Sequence, residues 1–297
     1  MRIAITGGAG YVGALAVEGL TDAGHEVRAL DVLLHGQEDV ARRVEERAEL
    51  IRADVRDADA RRRLLEGADA VVHLAAVVGD PACALDPETS NEVNVEGSAA
   101  LAADARAAGV RRFVFASTCS NYGRMSDPTV PVDEGGELAP VSLYAEQKVG
   151  IETGLLAADD PMEVTCLRFA TVYGAAPRMR FDLTVNEFTR DLWAGRALEV
   201  FGEQFWRPYV HARDAARGIR TALEAPSEAV AGEVYNVGHS DENYRKLDLV
   251  ELITDVLGRG EVSYVHRDED PRDYKVSFDK IREVLGFETE MTVPDGI

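Results

Sequence analysis

A β-branched run, Arg2–Thr6, passes into Thr6-Gly7-Gly8-Ala9-Gly10-Tyr11-Val12-Gly13 and then into a helical pattern over Tyr11–Ala23. Few local sequences restrict a fold so tightly. Gly7 permits a sharp turn out of the strand, Gly10 lets the backbone approach a pyrophosphate, and Gly13 lets helix and strand pack closely. The start of the helix offers unpaired N–H groups and the positive end of a dipole to phosphates. Asp31 closes the next strand-like run, at the spacing of an acid that grips ribose hydroxyls. No arginine follows it directly to receive a 2′-phosphate, which favours NAD over NADP. Gly7, Gly10, Tyr11, Val12, Gly13 and Asp31 are thus the first candidate cofactor-binding residues.

The rest of the first 170 residues alternates strand-like and helix-like runs, the mark of a parallel sheet with helices on both faces. Strands are expected at Arg2–Thr6, Glu26–Leu30, Leu50–Arg52, Ala70–Leu74, Arg112–Ala116 and Val164–Phe169. Helices are expected near Tyr11–Ala23, Asp59–Leu65, Asn91–Ala108 and Ser142–Leu156. After Gly174 the pattern shifts to a Pro-, Arg- and aromatic-rich stretch, Ala175–Asp182, a helix near Thr184–Ala194 and shorter mixed elements. The expected fold is α/β, a Rossmann-type doubly wound parallel sheet over residues 1–170. Residues 171–297 should form a smaller mixed substrate-binding region, interleaved with the first and covering its open end. Asp54-Val55 follows the third strand, where an aspartate accepts from an adenine amino group or else caps a helix.

Composition narrows the partners. The formal net charge of −21 disfavours nucleic acid and anionic membrane surfaces. No run of about 18 uninterrupted apolar residues marks a membrane span, and the N-terminus enters a strand directly, so a cytoplasmic enzyme is expected. Cys83, Cys119 and Cys166 lack metal-type spacing and read as reduced thiols. No His/Cys/carboxylate cluster suggests a metal.

Two further motifs carry chemistry. In Tyr144-Ala145-Glu146-Gln147-Lys148 the i, i+4 spacing puts a phenol and an ammonium on one helix face. A phenol with a pKa near 10 is a poor base; a nearby lysine and a positive nicotinamide ring favour phenolate. Such a group exchanges a proton with a substrate hydroxyl as hydride leaves carbon. Ser117-Thr118-Cys119-Ser120-Asn121-Tyr122-Gly123 follows the fifth strand, at the sheet end where such folds place their sites. A hydroxyl there is placed to bond the reacting oxygen.

Together with His73-Leu74-Ala75-Ala76, Asn94-Val95-Glu96-Gly97, Arg207-Pro208-Tyr209-Val210-His211 and Asn236-Val237-Gly238, these motifs resemble the extended short-chain dehydrogenase/reductase family, in its nucleotide-sugar epimerase and dehydratase branch. The resemblance spans nearly the whole chain. It implies Thr118, Tyr144 and Lys148 as the catalytic set. It also implies an NAD site that includes Asp54, Val55, Leu74, Ala75, Ala76, Asn94, Ser117, Tyr144 and Lys148. Thr118 and Arg207 would contact a nucleotide-diphosphate sugar, with Arg272 as second diphosphate arginine and Arg178 and Arg180 as further candidates; the alternative for the arginines is surface ion pairing. The resemblance implies a homodimer formed by the helices that begin near Asn91 and Ser142.

Departures from the family pattern bear on the reaction. Common sugar-nucleotide 4,6-dehydratases carry Asp-Glu after the catalytic threonine, where this chain has Cys119-Ser120. Thr171 stands where asparagine is common. Cys83, in Gly79-Asp80-Pro81-Ala82-Cys83, and Cys119 either face the sugar or pack as small residues. His73 and His211 read as structural. The expected reaction is epimerisation of a nucleotide sugar at C4 through a transient 4-ketone. The rivals are a 4-ketoreductase or atypical dehydratase with the same set, an oxidoreductase on a non-sugar alcohol, and an NAD-sensing binding protein.

Overall fold

The computed structural model describes residues 1–125, 127–159, 161–266 and 272–297. Among them the first strands are β1 (Arg2–Thr6), β2 (Glu26–Asp31), β3 (Glu49–Arg52), β4 (Ala70–His73), β5 (Arg112–Thr118) and β6 (Glu163–Phe169). Later come β7 (Thr171–Tyr173), β8 (Leu198–Phe201), β9 (Trp206–His211), β10 (Glu233–Val237), β11 (Asn243–Arg245) and β12 (Val262–Val265). The main sheet is parallel, in the order β10-β6-β5-β4-β1-β2-β3. The chain winds outward in both directions from β1, so the order reverses between β1 and β4. A crevice opens there at the carboxyl ends of the strands, where such sheets bind ligands.

Helices cover both faces: α1 (Gly13–Asp22), α2 (Glu38–Glu45), α3 (Ala58–Leu65), α4 (Asp80–Leu85), α5 (Pro87–Asn91), α6 (Ser98–Ala107), α7 (Leu143–Leu156), α8 (Thr184–Trp193) and α9 (Ala212–Glu224). The period-two alternation of a strand sorts the core into two layers. Ile3, Ile5, Val72 and Val114 pack with Val17 and Leu20 of α1, Val40 and Val44 of α2, and Ile219 and Leu223 of α9. Ala4, Val71, Phe113 and Phe115 pack on the other face with Leu64 of α3, Leu101 of α6, and Ile151 and Leu155 of α7. Strands buried on both sides need apolar residues in near-continuous runs, which explains sequences such as Arg112-Phe-Val-Phe-Ala.

The structure modifies several expectations. β10 and α9 complete the main sheet and its helical layer, so residues after 170 contribute directly to the nucleotide-binding layer. The remainder forms the sheet β11-β9-β7 and the pair β12-β8. The helix expected over Asn91–Ala108 is broken: α5 ends at Asn91 and residues 92–97 form a wide π turn before α6. That turn presents Asn94 to Val77 and Gln147. The Gly79–Cys83 stretch starts α4, a helix absent from the expected set, with Pro81 in its first turn, where a missing N–H costs nothing. Among the described residues no helix is long and apolar enough to cross a membrane.

A buried ion pair ties α7 to the sheet. Arg168 of β6 donates through Nε to Glu152 Oε1 at 3.0 Å, and Glu152 Oε2 accepts from Ser117 Oγ at 2.5 Å. Arg168 also donates to the Tyr122 hydroxyl at 2.9 Å. Both charged residues are under 5% exposed. Arg168→Met leaves the Glu152 carboxylate buried without its cation, and a loss of about 3–5 kcal/mol is expected in urea unfolding. The double variant Arg168→Met/Glu152→Gln should recover part of it. A single variant as stable as wild type would contradict this reading.

Candidate active site

The carboxyl ends of β1 and β4 are locked together. Thr6 Oγ1 and His73 Nδ1 lie 2.7 Å apart, and Thr6 Oγ1 accepts from the Leu74 and Ala75 N–H groups at 3.2 Å. His73 Nε2 is 2.7 Å from Ser98 Oγ, and burial pushes the imidazole down to about 3, so it is neutral and structural. The half-buried Leu74, Ala75 and Ala76 therefore run beside the glycine turn. Gly7 has φ +71°, and a Cβ there would lie 2.9 Å from Ala75 N. Gly10 N donates to Gly7 O at 3.0 Å, and a Cβ on Gly13 would lie 1.9 Å from that same oxygen. Gly13 is thus required by closure of the turn itself. Asp31 Oδ2 accepts from Ala9 N at 2.9 Å and Oδ1 from Leu33 N at 2.8 Å, which draws the carboxylate to the turn. α1 starts at Val12-Gly13 without a side-chain cap, leaving first-turn N–H groups for an anion.

Other expected cofactor contacts have side chains with inward duties. The Tyr11 hydroxyl donates to Gly174 O at 2.5 Å and accepts from Asn186 Nδ2 at 3.0 Å, so Tyr11 has only its main chain for a dinucleotide. Val55 packs in the core. Asp54 is half-buried and bonded to the Arg56 guanidinium at 2.8 and 3.0 Å, which holds its carboxyl below the usual range. Asp57, and not Asp54, caps α3. Asn94 donates to Val77 O at 3.0 Å and Gln147 Oε1 at 2.9 Å and accepts from Val77 N at 2.8 Å, bracing the chain after β4. The Ser117 hydroxyl belongs to Glu152.

Tyr144, Lys148 and Thr118 converge at the end of β5. Ser142 caps α7 by accepting from Ala145 N, and Tyr144 follows in the first turn, half-buried. Lys148 Nζ donates to Ala116 O at 2.7 Å and lies 5.8 Å from the Tyr144 ring centre. Thr118, half-buried, caps the short turn 119–122 by accepting from Ser120 N at 3.1 Å, which leaves its hydroxyl proton to donate. Burial lowers Lys148 to about 8. The expectation that the lysine lowers the phenol needs correction. Burial pushes Tyr144 well up, Arg180 is the cation that opposes the rise, and Cys83 and Asp80 add to it. The Lys148 ammonium is committed to a β5 carbonyl, which explains its small leverage on the phenol.

The four candidate arginines divide into two pairs. Arg207 and Arg272 both act on the buried phenols of Tyr209 and Tyr274, and the Arg207 guanidinium lies 5.5 Å from the Tyr274 ring. Arg207 NH1 also donates to Trp206 O at 2.6 Å. Arg178 and Arg180 lie instead by the glycine turn, near Asp31, His35 and Tyr11. Asp270 and Pro271 of the Arg272 motif lie outside the described residues. Sequence reasoning missed Asp80 as a hub: Oδ1 accepts from Ser142 Oγ at 2.6 Å and Oδ2 pairs with Arg272 at 3.0 Å. Cys83 Sγ donates to Val77 O at 3.4 Å and Cys119 Sγ to Arg168 O at 3.2 Å; both thiols are buried and packed. His211 caps α9, and Thr171 opens β7 opposite Tyr209.

A turn that tolerates no added Cβ, an uncapped helix start and an aspartate at the second strand's end fit a dinucleotide. Residues 3–238 match the NAD dependent epimerase/dehydratase family. The chain belongs to this family. This epimerase/dehydratase is 32% identical to the UDP-glucose 4-epimerase of Mycolicibacterium smegmatis, over 100% of the chain and 96% of that enzyme. Its fold is similar to that of the Thermotoga maritima UDP-glucose 4-epimerase with UDP-glucose (TM-score 0.89, 27% identity, 100% and 96% coverage). It is also similar to the Streptomyces venezuelae dTDP-glucose 4,6-dehydratase with NAD (TM-score 0.88, 29% identity, 100% and 94% coverage). NAD is the cofactor of the epimerase/dehydratase chain.

Lys148 gives the site a measurable pH signature. Between its folded value of about 8 and its ordinary 10.5, the unfolded chain holds a proton that the folded chain has lost, so stability rises with pH there. At roughly 1.4 kcal/mol per pH unit the full gain is about 3 kcal/mol. In nucleotide-free protein, the unfolding free energy of wild type minus that of Lys148→Met should climb by about 2–3 kcal/mol from about pH 7.5 to about pH 10. A flat difference would show that the ammonium is not desolvated.

Proposed function

We propose that this chain is a nucleotide-sugar epimerase that inverts C4, with UDP-glucose and UDP-galactose as the substrate pair. The observation that carries this reading is the convergence of Tyr144, Lys148 and Thr118 at the end of β5, with the Arg207–Arg272 pair beyond Asp80 and no carboxylate at 119–120. A dehydratase needs acid/base groups for C5 and C6; Cys119 is turned into the core and Ser120 has no charge. The similarity to UDP-glucose 4-epimerases supports the choice of sugar and nucleotide.

NAD, when bound, would supply reversible hydride acceptance at C4, so no net redox change would accumulate. Asp31 would hold the adenosine ribose, and the α1 start, with Gly7, Gly10 and Gly13, would receive the pyrophosphate. Leu74, Ala75 and Ala76 form one wall, and the Asp54-Val55 main chain borders the adenine. Lys148 would hold the nicotinamide ribose hydroxyls. Tyr144 takes the C4 hydroxyl proton as phenolate. Its buried phenol resists ionisation until positive charge arrives beside it, which confines proton transfer to the cofactor-loaded state. Thr118 donates to the reacting oxygen and orients it. Arg207 and Arg272 grip the diphosphate, and Arg272 exchanges part of its Asp80 partnership for phosphate. The 4-ketone then presents its other face and recovers the proton from Tyr144.

The assembly we infer is a cytoplasmic homodimer. The outer faces of α6 and α7 carry small residues, exposed Ala99, Ala103 and Ala107 on one and Gly150 and Gly154 on the other, which let helices of two subunits approach closely. Three free buried cysteines suit a reducing compartment.

Incubation with UDP-glucose and no added cofactor, followed by NMR, should give UDP-galactose with no NADH released. Tyr144→Phe should lower kcat by about 10²–10⁴. Net oxidation of NADH with a keto-sugar would point to a reductase, and a product lacking water to a dehydratase.

A further inference from the structure

Arg178 and Arg180 stand on residues 175–182, between β7 and α8, and the structure fastens this stretch to the glycine turn. Asn186 of α8 accepts from Gly174 N at 2.8 Å and donates to Arg180 O at 2.8 Å and to the Tyr11 hydroxyl at 3.0 Å. Tyr11 in turn donates to Gly174 O at 2.5 Å. Tyr11 lies inside the turn whose N–H groups face phosphate, so the stretch forms a strap over the mouth of that turn. Arg180 is braced by Asp182 at 2.5 and 3.2 Å. Arg178 is different. It is half-buried, yet among the described residues its guanidinium makes no hydrogen bond or ion pair. A guanidinium held at the crevice with no carboxylate bonded to it keeps its N–H fork open to an anion.

The surroundings of the two arginines place them along the dinucleotide path. Burial and Arg180 both hold Arg178 below its ordinary pKa, and Asp31 is close enough to oppose them. Burial holds the His35 imidazole down, and both arginines add to it. Arg180 also acts on Tyr144 at the other end of the crevice. The pair therefore spans the interval between the ribose-binding acid and the proton-transfer phenol, and a pyrophosphate bound at the turn lies in that interval. The sugar-diphosphate side is already served by Arg207 and Arg272.

We propose that Arg178 and Arg180 close over bound NAD and hold its pyrophosphate from the side opposite the α1 N-terminus, making the 175–182 strap a cofactor-retaining clamp. Guanidinium forks match phosphate oxygens. An enzyme that regenerates its cofactor in every cycle gains nothing from exchanging it, so slow NAD release suits the chemistry. The clamp rests on the NAD-dependent reading above and reassigns the strap from the sugar nucleotide to the cofactor.

Arg178→Gln and Arg180→Gln separate the two assignments by calorimetric titration with NAD and, separately, with UDP. Each variant should weaken NAD binding by about tenfold, speed NAD release in stopped flow, and leave the UDP Kd within about twofold. Arg178→Lys should recover part of the NAD affinity. An unchanged melting temperature without ligand confirms that the fold is intact. Weaker UDP binding with unaltered NAD binding would return the strap to the substrate and overturn the clamp. Equal loss of both affinities, or no loss of either, overturns it as well. Variants with wild-type NAD affinity beside an active wild-type epimerase sink the clamp alone, whereas a wild type that binds UDP but no NAD sinks the functional reading with it.

Discussion

Everything at this site hangs on how α7 is pinned to the sheet. Tyr144, Lys148 and Glu152 recur every fourth residue and share one helix face. Lys148 is bonded to the Ala116 carbonyl, Glu152 to Ser117 and Arg168, and Gln147, one residue before the lysine, to Ser90 and Asn94. These anchors lie on β5, β6 and the 87–97 stretch, so the first turn of α7 has little freedom to tilt. Two of the anchors are buried charges, which tolerate only well-matched geometry. The rigidity of the Tyr144 hydroxyl is thus a consequence of a polar network behind it.

The second constraint is electrostatic. A chain of net charge −21 that takes NAD and a nucleotide sugar needs local positive charge, and in the proposed function four arginines near the crevice supply it. Several are already balanced by carboxylates: Arg272 by Asp80, Arg180 by Asp182. Such pairs keep the guanidinium groups placed without a ligand, and in the proposed function phosphate would take them over by competing through two charged oxygens. Asp80 also caps the system mechanically, since it accepts from the residue that begins α7. Charge at the sugar side and the position of the proton-transfer helix are therefore joined through one carboxylate.

Much of this was legible in the sequence because its signals are local. The glycine turn, the alternating runs of β1 to β6 and the Tyr-x-x-x-Lys spacing each depend on residues within one or two elements. Less legible were groups whose partners lie far away in the chain. Asp80 and Asn186 carried no local mark of their role, and Arg178 and Arg180, legible as candidate diphosphate arginines, showed no sign that they would stand by the glycine turn. Glu152 could have been suspected, since it extends the Tyr144–Lys148 spacing by one further turn. Nothing local marked Asn94 as a brace, because its bonds reach Val77 and Gln147 across a wide turn that periodicity reads as regular helix.

By itself, then, the amino-acid order determined the nucleotide-binding layer and the choice of NAD, and it singled out Tyr144, Lys148 and Thr118 as the candidate proton-transfer set, because sterics of glycine and the periods of helix and strand act over a few residues. Only the tertiary structure decided that β10 and α9 return to complete that layer. It alone decided that Arg207 and Arg272 gather at Tyr209 and Tyr274 while Arg178 and Arg180 stand by the glycine turn, and that burial overrides the lysine in setting the Tyr144 phenol. Those outcomes depend on distances and desolvation between segments far apart in the chain, such as Tyr11 and Asn186, 175 residues apart, and no local pattern encodes them.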